Sequence, residues 1–293
     1  MKSLSDIASL SPDKVKDILN LAADMKANPQ QYATACKGKQ LVLVFEKPSL
    51  RTRVSFEVGM QSMGGNSLFL QGSEVGLGTR EPVKDVARTL SRYADIVALR
   101  VFDQAHIDEF IEVSDIPVIN ALSDRHHPCQ AFADLMTIRE NHHGATVVLY
   151  IGDGNNVARS LMEICQKDSQ IECRICTPKE HELSIPKDYQ RISVFNDPVI
   201  AAKGADVIYT DVWTSMGQEA ELKKRLQDFQ GFTLDEALIQ MANPGVKVLH
   251  CLPAHRGEEI SETVFESQFQ NIFDQTENRM HVQKALMYRL LGN

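Results

Sequence analysis

The feature that most constrains the fold is a repeated alternation of short apolar runs with longer segments of helical period. The runs are rich in Val, Ile and Leu, which is typical of strands buried on both faces by helices. We therefore predict an α/β fold of parallel sheets flanked by helices. The predicted strands are 40–45, 67–71, 95–101, 117–121, 146–151, 171–176, 206–210 and 247–250, and the main predicted helices are 54–63, 82–93, 128–140, 155–166 and 278–291.

A length of 293 residues suits one large or two medium-sized domains. The helix predicted at 128–140 ends in a polar stretch, and a new strand begins at Thr146, so we place a boundary near residue 143. The expected domains are residues 1–143 and 144–274. In such folds a ligand binds in the cleft between the domains, outside the carboxyl ends of the strands.

Charge and cysteine content narrow the possible partners. The chain has 31 basic and 39 acidic residues and a formal net charge of −8, so we expect no binding to nucleic acid or to an anionic membrane. Any affinity for an anion must come from a local basic cluster.

Six cysteines are too few for a disulfide framework, and no leader segment is recognisable, so we predict a reducing cytoplasm. No stretch approaches the roughly 18 to 20 apolar residues of a spanning helix.

The strongest local motif is S-L-R-T-R at residues 49–53, between a predicted strand and a predicted helix. It places Arg51 and Arg53 beside two hydroxyl groups, with Lys47 shortly before them. The start of a helix offers free backbone N–H groups, and hydroxyls and guanidinium groups add directional donors, so the motif predicts a phosphate site. The alternative is a Ser N-cap followed by a solvated basic turn.

Four further polar segments follow predicted strands: H-P-C-Q at 127–130, G-D-G-N-N-V at 152–157, D-V-W-T-S-M-G at 211–217 and H-C-L-P at 250–253. Each has a plainer interpretation as surface, cap or core residues. The glycine turn is similar to half of a dinucleotide fingerprint but has Val157 at the third glycine position, which leaves an NAD-dependent dehydrogenase as an alternative. Cys173 and Cys176 have no second cysteine pair nearby, so zinc is not predicted.

In this order the motifs resemble those of the aspartate and ornithine carbamoyltransferase family, and the later ones its ornithine branch. The resemblance runs from about Leu41 to Leu291. It implies an enzyme that transfers the carbamoyl group of carbamoyl phosphate to L-ornithine, giving L-citrulline and phosphate, in arginine metabolism. It also implies that the first domain binds carbamoyl phosphate and the second ornithine, with a terminal helix at about 275–293 packed on the first. No metal and no organic cofactor is expected, and the assembly implied is a homotrimer or a multiple of trimers.

The resemblance also implies roles for particular residues. Catalytic roles fall on Cys251, Asp211, Arg100 and His127, which would release the proton of the attacking amine and stabilise the charge on the carbamoyl oxygen. The residues implied for ornithine are Asn156, Asp211, Ser215 and Met216. The residues implied for carbamoyl phosphate are Ser49, Leu50, Arg51, Thr52, Arg100, His127, Gln130, Cys251, Leu252 and Arg279.

Two positions depart from the family pattern. Leu50 stands where members commonly have Thr, a mild change if only its backbone N–H is used. Gly76 stands where ornithine enzymes often have a Gln that reaches the neighbouring subunit's site, so that contact is left open. The alternatives that remain are a carbamoyltransferase for putrescine or an N-acylated ornithine, and a non-catalytic sensor on the same fold. The sequence also leaves open whether the enzyme acts in synthesis or degradation.

Overall fold

A computed structural model describes residues 1–214 and 221–292 of the chain. It forms two compact units, each with its own parallel sheet, and the predicted α/β class is confirmed. One unit is Met1–Ala133 together with the chain from Glu277 onward, and the other is Asp134–Thr276. This division falls before residue 143, inside a helix that runs from Pro128 to Asn141, and the extent of each domain stays a prediction.

The first unit contains a sheet with strand order β2-β1-β3-β4 in the described residues, all pairs parallel. Its strands are β1 (Gln40–Phe45), β2 (Asn66–Gln71), β3 (Ile96–Arg100) and β4 (Val118–Leu122). Its helices are α1 (Pro12–Ala27), α2 (Leu50–Ser62), α3 (Gly72–Val75), α4 (Val83–Leu90), α5 (Gln104–Val113) and the first turns of α6 (Pro128–Asn141).

The second unit contains a sheet with strand order β7-β6-β5-β8-β9 in the described residues, again parallel throughout. Its strands are β5 (Thr146–Ile151), β6 (Ile171–Cys176), β7 (Ile192–Phe195), β8 (Val207–Thr210) and β9 (Lys247–His250). Its further helices are α7 (Asn156–Cys165), α8 (Pro198–Ala202), α9 (Leu222–Asp228), α10 (Glu236–Ile239), α11 (Glu262–Ser267) and the start of α12 (Phe269–Leu290), which ends in the first unit.

Strand register brings the polar motifs of each unit to one edge of its sheet. In the first unit Phe45 pairs with Arg100 and Arg100 with Leu122, so β1, β3 and β4 end side by side. In the second unit Thr210 pairs with both Ile151 and His250. The residues that follow these strand ends are therefore neighbours, as expected for parallel strands.

The sequence predicted strands better than helices. The bounds predicted for β1, β5, β6 and β9 agree with the structure. Strand β7 was not predicted, because it is a short edge strand whose side chains are only partly buried and it lacks a continuous apolar run. Helix α1 was also not predicted, although Ser11 caps it and Pro12 opens it. The terminal helix begins at Phe269, nine residues before its predicted start, with two half-exposed phenylalanines that hide its period.

Among the described residues, every helix is too short or too polar to cross a bilayer.

Candidate active site

The S-L-R-T-R motif lies at the N-terminus of α2. The helix begins at Leu50 rather than at the predicted residue 54, with Ser49 as N-cap, whose hydroxyl accepts a hydrogen bond from the Thr52 N–H at 3.2 Å. Arg51 is half-buried in the first turn, whereas the side chain of Leu50 points to solvent with 72% exposure. The first backbone N–H groups of a helix lack intrahelical acceptors, so this turn can bind an anion.

Arg279 on α12 is held against this turn. Its Nη2 donates to Thr52 Oγ1 at 2.9 Å, and its Nη1 donates to Gln130 Oε1 at 2.8 Å. All three side chains are buried. The structure therefore brings together three residues that the sequence assigned to carbamoyl phosphate, although they come from three separate helices.

Arg100 and His127 lie at the carboxyl edge of the same sheet, and both are buried. Burial lowers the pKa of the His127 imidazole well below its usual range, and the positive charges of Arg279 and Arg100 lower it further. A charged imidazole is disfavoured both by desolvation and by neighbouring cations. His127 is therefore neutral at neutral pH, with one N–H to donate.

The two other basic residues in and before the motif, Lys47 and Arg53, have different surroundings. The Lys47 ammonium lies 4.6 Å from the centre of the Phe102 ring, and burial, then the charge of Arg100, lowers the Lys47 pKa. Arg53 was expected in the basic cluster, but its guanidinium stacks on Phe69 at 3.8 Å and pairs with Glu57 at 3.2 Å. That expectation was wrong, because Arg53 is exposed and lies two residues farther along the helix than Arg51.

In the second unit Asp211 is the centre of a hydrogen-bond cluster. Its Oδ2 accepts from Asn155 Nδ2 at 3.0 Å, and its Oδ1 accepts from the Cys251 thiol at 2.9 Å. Burial raises the pKa of Cys251 well above its usual range, and the Asp211 carboxylate raises it further, so Cys251 remains a thiol. Sequence reasoning assigned Asn155 only to a cap, yet its side chain both caps α7 and contacts Asp211.

The H-C-L-P segment has its own internal support. His250 Nε2 and Glu259 Oε1 lie 2.9 Å apart in a fully buried pair, and His250 Nδ1 accepts from the Leu252 N–H at 2.8 Å. Because Nδ1 is an acceptor, the ring N–H of His250 is on Nε2, and this N–H donates a hydrogen bond to Glu259. Leu252 has a φ of 59°, which is costly for a residue with a β-carbon, and the bond from its N–H to His250 holds it there. No sequence motif pointed to Glu259.

Asn156 is half-buried and is the first residue of α7. Ser215 and Met216 lie outside the described residues. The chain on either side of them is anchored by Arg225, whose Nη1 donates to the Trp213 carbonyl at 2.9 Å and contacts Asp153 Oδ2 at 3.0 Å.

Within residues 1–214 and 221–292, two groups of side chains have ligand atoms close enough for a metal ion, within 4.8 Å of one another: Asp211, His250 and Cys251, and His255, Glu258 and Glu259. In the first group the thiol donates to Asp211, and both nitrogens of His250 are engaged. In the second, Glu259 accepts from His250. These bonds compete with metal binding, and the expected absence of a metal stays a prediction.

The glycine turn after β5 is covered by protein. The Gly154 N–H donates to the His181 carbonyl at 3.2 Å, and a β-carbon on Gly154 would lie 2.3 Å from that oxygen. A dinucleotide fingerprint instead keeps its glycine turn open to the pyrophosphate. The close approach therefore explains this glycine by packing and disfavours the dehydrogenase alternative.

Comparison with known proteins agrees with this geometry. Residues 2–140 match the carbamoyl-P binding domain of aspartate/ornithine carbamoyltransferase, and residues 144–290 match its Asp/Orn binding domain. The chain is 45% identical to the ornithine carbamoyltransferase of Nostoc sp., covering 99% of this chain and 97% of that protein. It is 41% identical to the catabolic enzyme of Halobacterium salinarum, with full coverage of both.

Solved structures agree as well. The anabolic ornithine carbamoyltransferase of Campylobacter jejuni superposes with a TM-score of 0.94 at 36% identity, covering 99% of each chain. The Pyrococcus furiosus enzyme gives a TM-score of 0.92 at 39% identity, covering 100% of this chain and 97% of that one. The chain therefore belongs to the aspartate/ornithine carbamoyltransferase family and is an enzyme of the carbamoyltransferase class.

Proposed function

We propose that this enzyme transfers the carbamoyl group of carbamoyl phosphate to the side-chain amine of L-ornithine, giving L-citrulline and phosphate. The observation that carries the proposal is the environment of Asp211, a buried carboxylate oriented by Asn155 and Cys251 at the carboxyl edge of its sheet. Such a group suits a substrate that is a cation when it binds and must lose a proton to react.

Carbamoyl phosphate binds in the first unit in this proposal. Its phosphate is held by the N-terminal turn of α2, through the Ser49 hydroxyl, the Leu50 N–H, Arg51 and Thr52, together with Arg279. Support comes from the Ser49 cap and from the contact of Arg279 with Thr52. The carbamoyl group is bound by Arg100, His127 and Gln130. The net charge of −8 does not oppose this binding, because the cations are local to a small site.

The chemical step begins with a protonated amine, since the reference pKa of such a group is about 10.4. Asp211 orients the ammonium and accepts its proton, and the Cys251 thiol assists by holding the Asp211 carboxylate through its hydrogen bond. The neutral amine attacks the carbamoyl carbon, forming a C–N bond, and charge develops on the carbamoyl oxygen. Arg100, His127 and Thr52 stabilise that charge. The C–O bond to phosphate then breaks, phosphate leaves with the bonding electron pair toward the cationic turn, and the extra proton on the attacking nitrogen passes to the departing phosphate.

Cys251 and Leu252 are proposed to contact carbamoyl phosphate, and Asn156, Ser215 and Met216 to contact ornithine. The α-amino and α-carboxyl groups of ornithine need partners that putrescine does not, and we assign them to the segment that follows Asp211. No metal and no organic cofactor takes part in the proposed reaction.

A single assay separates the possible amine substrates. The purified enzyme is given carbamoyl phosphate with ornithine, putrescine, N-acetylornithine or aspartate in separate reactions, and carbamoylated product is measured. We expect citrulline to form fastest. Absence of citrulline, or faster turnover of putrescine, would overturn the proposal. An enzyme that binds carbamoyl phosphate without turnover of any amine would indicate the sensor alternative.

We further propose a homotrimer, or a multiple of trimers, in which the exposed face of α2 contacts another copy. Val54 and Val58 lie one turn apart on that helix, and each is exposed, as is Leu68 on the edge strand β2. Exposed apolar side chains in a row are typical of a contact surface. Light scattering on the purified protein tests the assembly. The cytoplasm and a role in arginine biosynthesis stay predictions, and no contact from the partner copy is predicted at Gly76.

A further inference from the structure

A buried polar network lies behind the turn that leads to His127. In this turn, residues 123–126, the Ser123 N–H donates to the His126 carbonyl at 2.9 Å. The Ser123 hydroxyl oxygen accepts from the His126 N–H at 3.1 Å and from the Arg125 N–H at 3.3 Å. His127 follows directly and accepts the first hydrogen bonds of α6 from Gln130 and Ala131. The geometry of the turn therefore determines the position of the His127 backbone at the start of α6.

Gln104 supports this turn from the start of α5. Its side-chain oxygen accepts hydrogen bonds from the Ser123 hydroxyl and from Asn120 Nδ2. Its side-chain nitrogen donates to Ser5 Oγ at 2.9 Å and to Asp108 Oδ1 at 3.0 Å. The residue is buried. With four partners on one amide, the side chain has a single favourable orientation.

The N-terminal segment completes the network. Leu4 forms a parallel bridge with Ile119 on the outer edge of β4, bonded at 2.8 Å to the Val118 carbonyl and at 2.7 Å to the Asn120 N–H. The Ser5 carbonyl accepts from Asn120 Nδ2 at 2.8 Å. Ser5 is thereby placed to accept from Gln104.

We propose that Gln104 is a positioning residue for His127, acting through the turn at Ser123, and that Leu4 and Ser5 complete its support. This role rests on the proposed function, in which His127 binds the carbamoyl group. Gln104 has no contact with the N-terminal turn of α2, with Thr52 or with Arg279 among the contacts described. Loss of the amide should therefore weaken stabilisation of the carbamoyl oxygen and leave phosphate binding intact.

The test compares Gln104→Leu with Gln283→Leu. Gln283 is a matched control, because it is a fully buried glutamine in the same unit whose amide atoms have no hydrogen-bond partner in the described part of the chain. We expect Gln104→Leu to lower kcat by about 10- to 100-fold, since small misplacements of a reacting group have effects of this order. The dissociation constant of carbamoyl phosphate, measured without amine, should change less than about twofold. Gln283→Leu should leave both values unchanged.

Hydrogen exchange gives a readout that does not depend on turnover. The amides of residues 123–127 should exchange faster in Gln104→Leu than in the wild type or in Gln283→Leu, because the turn has lost its support. Ser5→Ala should show a smaller change of the same kind. If Gln104→Leu does not fold, Ser5→Ala is measured in its place, because it removes one acceptor of the Gln104 amide and leaves the turn's own hydrogen bonds intact.

Three results would overturn the proposal: equal kcat values in Gln104→Leu and Gln283→Leu, a loss of carbamoyl phosphate affinity that accounts for the whole loss of kcat, or unchanged exchange at residues 123–127. Failure of the proposed function looks different. In that case the wild type forms no carbamoylated amine, while the exchange comparison still decides whether Gln104 holds the turn.

Discussion

The clusters at the two sheet edges are opposite in charge and alike in construction. In the first unit Arg279 is held by the Thr52 hydroxyl and the Gln130 carbonyl oxygen. In the second unit Asp211 is held by the Asn155 amide and the Cys251 thiol. In both clusters a buried charged group forms hydrogen bonds to neutral side chains that orient it.

The buried pair of Arg225 and Asp153 gives the contrast within the second unit. There opposite charges lie 3.0 Å apart and largely cancel, which suits a structural contact between helix α9 and the turn after β5. A buried charge that is oriented by neutral partners retains much of its desolvation cost, and a ligand of opposite charge offsets that cost. The charge of Asp153 is largely cancelled by Arg225, whereas the described partners of Asp211 are neutral, so Asp211 suits a ligand that carries positive charge.

The largest expected effect comes from removing the charge of the second cluster. Asp211→Asn should lower kcat by about 100- to 10,000-fold, the range typical of lost general acid–base assistance. Binding of carbamoyl phosphate alone, measured by calorimetry, should be unchanged. Asp206→Asn is the control at the other end of β8, where Asp206 bonds Val147 and Asn243. Equal losses of kcat in the two variants would contradict a chemical role for Asp211.

The next effect concerns the first cluster. Arg51→Ala should lower the affinity for carbamoyl phosphate by about 10- to 150-fold for each charge-assisted hydrogen bond lost, which places binding beyond ordinary measurement. Circular dichroism should show an intact fold. Arg53→Ala is the matched control on the same helix, because its guanidinium lies on Phe69 and pairs with Glu57. Near-normal affinity in Arg51→Ala would exclude the proposed phosphate site.

A smaller effect should appear in the pH dependence of stability. The pKa of His127 is lowered by burial and by nearby arginines, so below a pH of about 6.5 the unfolded chain binds a proton that the folded chain does not. Folding stability should therefore fall as the pH falls, by at most about 1.4 kcal/mol per pH unit from this residue. Urea unfolding between pH 6.5 and 5 should show a shallower fall in His127→Asn.

His143→Asn is the control for that slope, because His143 is exposed at the turn after α6. It should retain the slope of the wild type. If His127→Asn and the wild type lose stability in parallel, the imidazole is not held neutral by its surroundings.

The sequence predicted the strands and the polar residues that follow them because both depend on local pattern. Contacts between distant segments left no such signal. The bonds from Arg279 to Thr52 and Gln130 join parts of the chain more than a hundred residues apart, and Arg279 was assigned only through the family resemblance. Gln104, Glu259 and Arg225 were missed, because a buried polar residue cannot be told from an exposed one without its partners.

The smallest expected effect tests whether the first cluster uses backbone or side chain at Leu50. The side chain of Leu50 is 72% exposed and the residue is the first of α2, so Leu50→Ala and Leu50→Thr should change carbamoyl phosphate affinity by less than about twofold. Leu50→Pro removes the N–H, yet proline is well tolerated at the first position of a helix. The extended conformation of Ser49, with φ −162° and ψ 115°, also suits a residue before proline. Leu50→Pro should therefore keep the helix and lose about 10- to 150-fold in affinity, the effect of one hydrogen bond to a charged group. If affinity falls in Leu50→Ala and is retained in Leu50→Pro, the assignment is reversed: the Leu50 side chain contacts carbamoyl phosphate, and the Leu50 N–H does not.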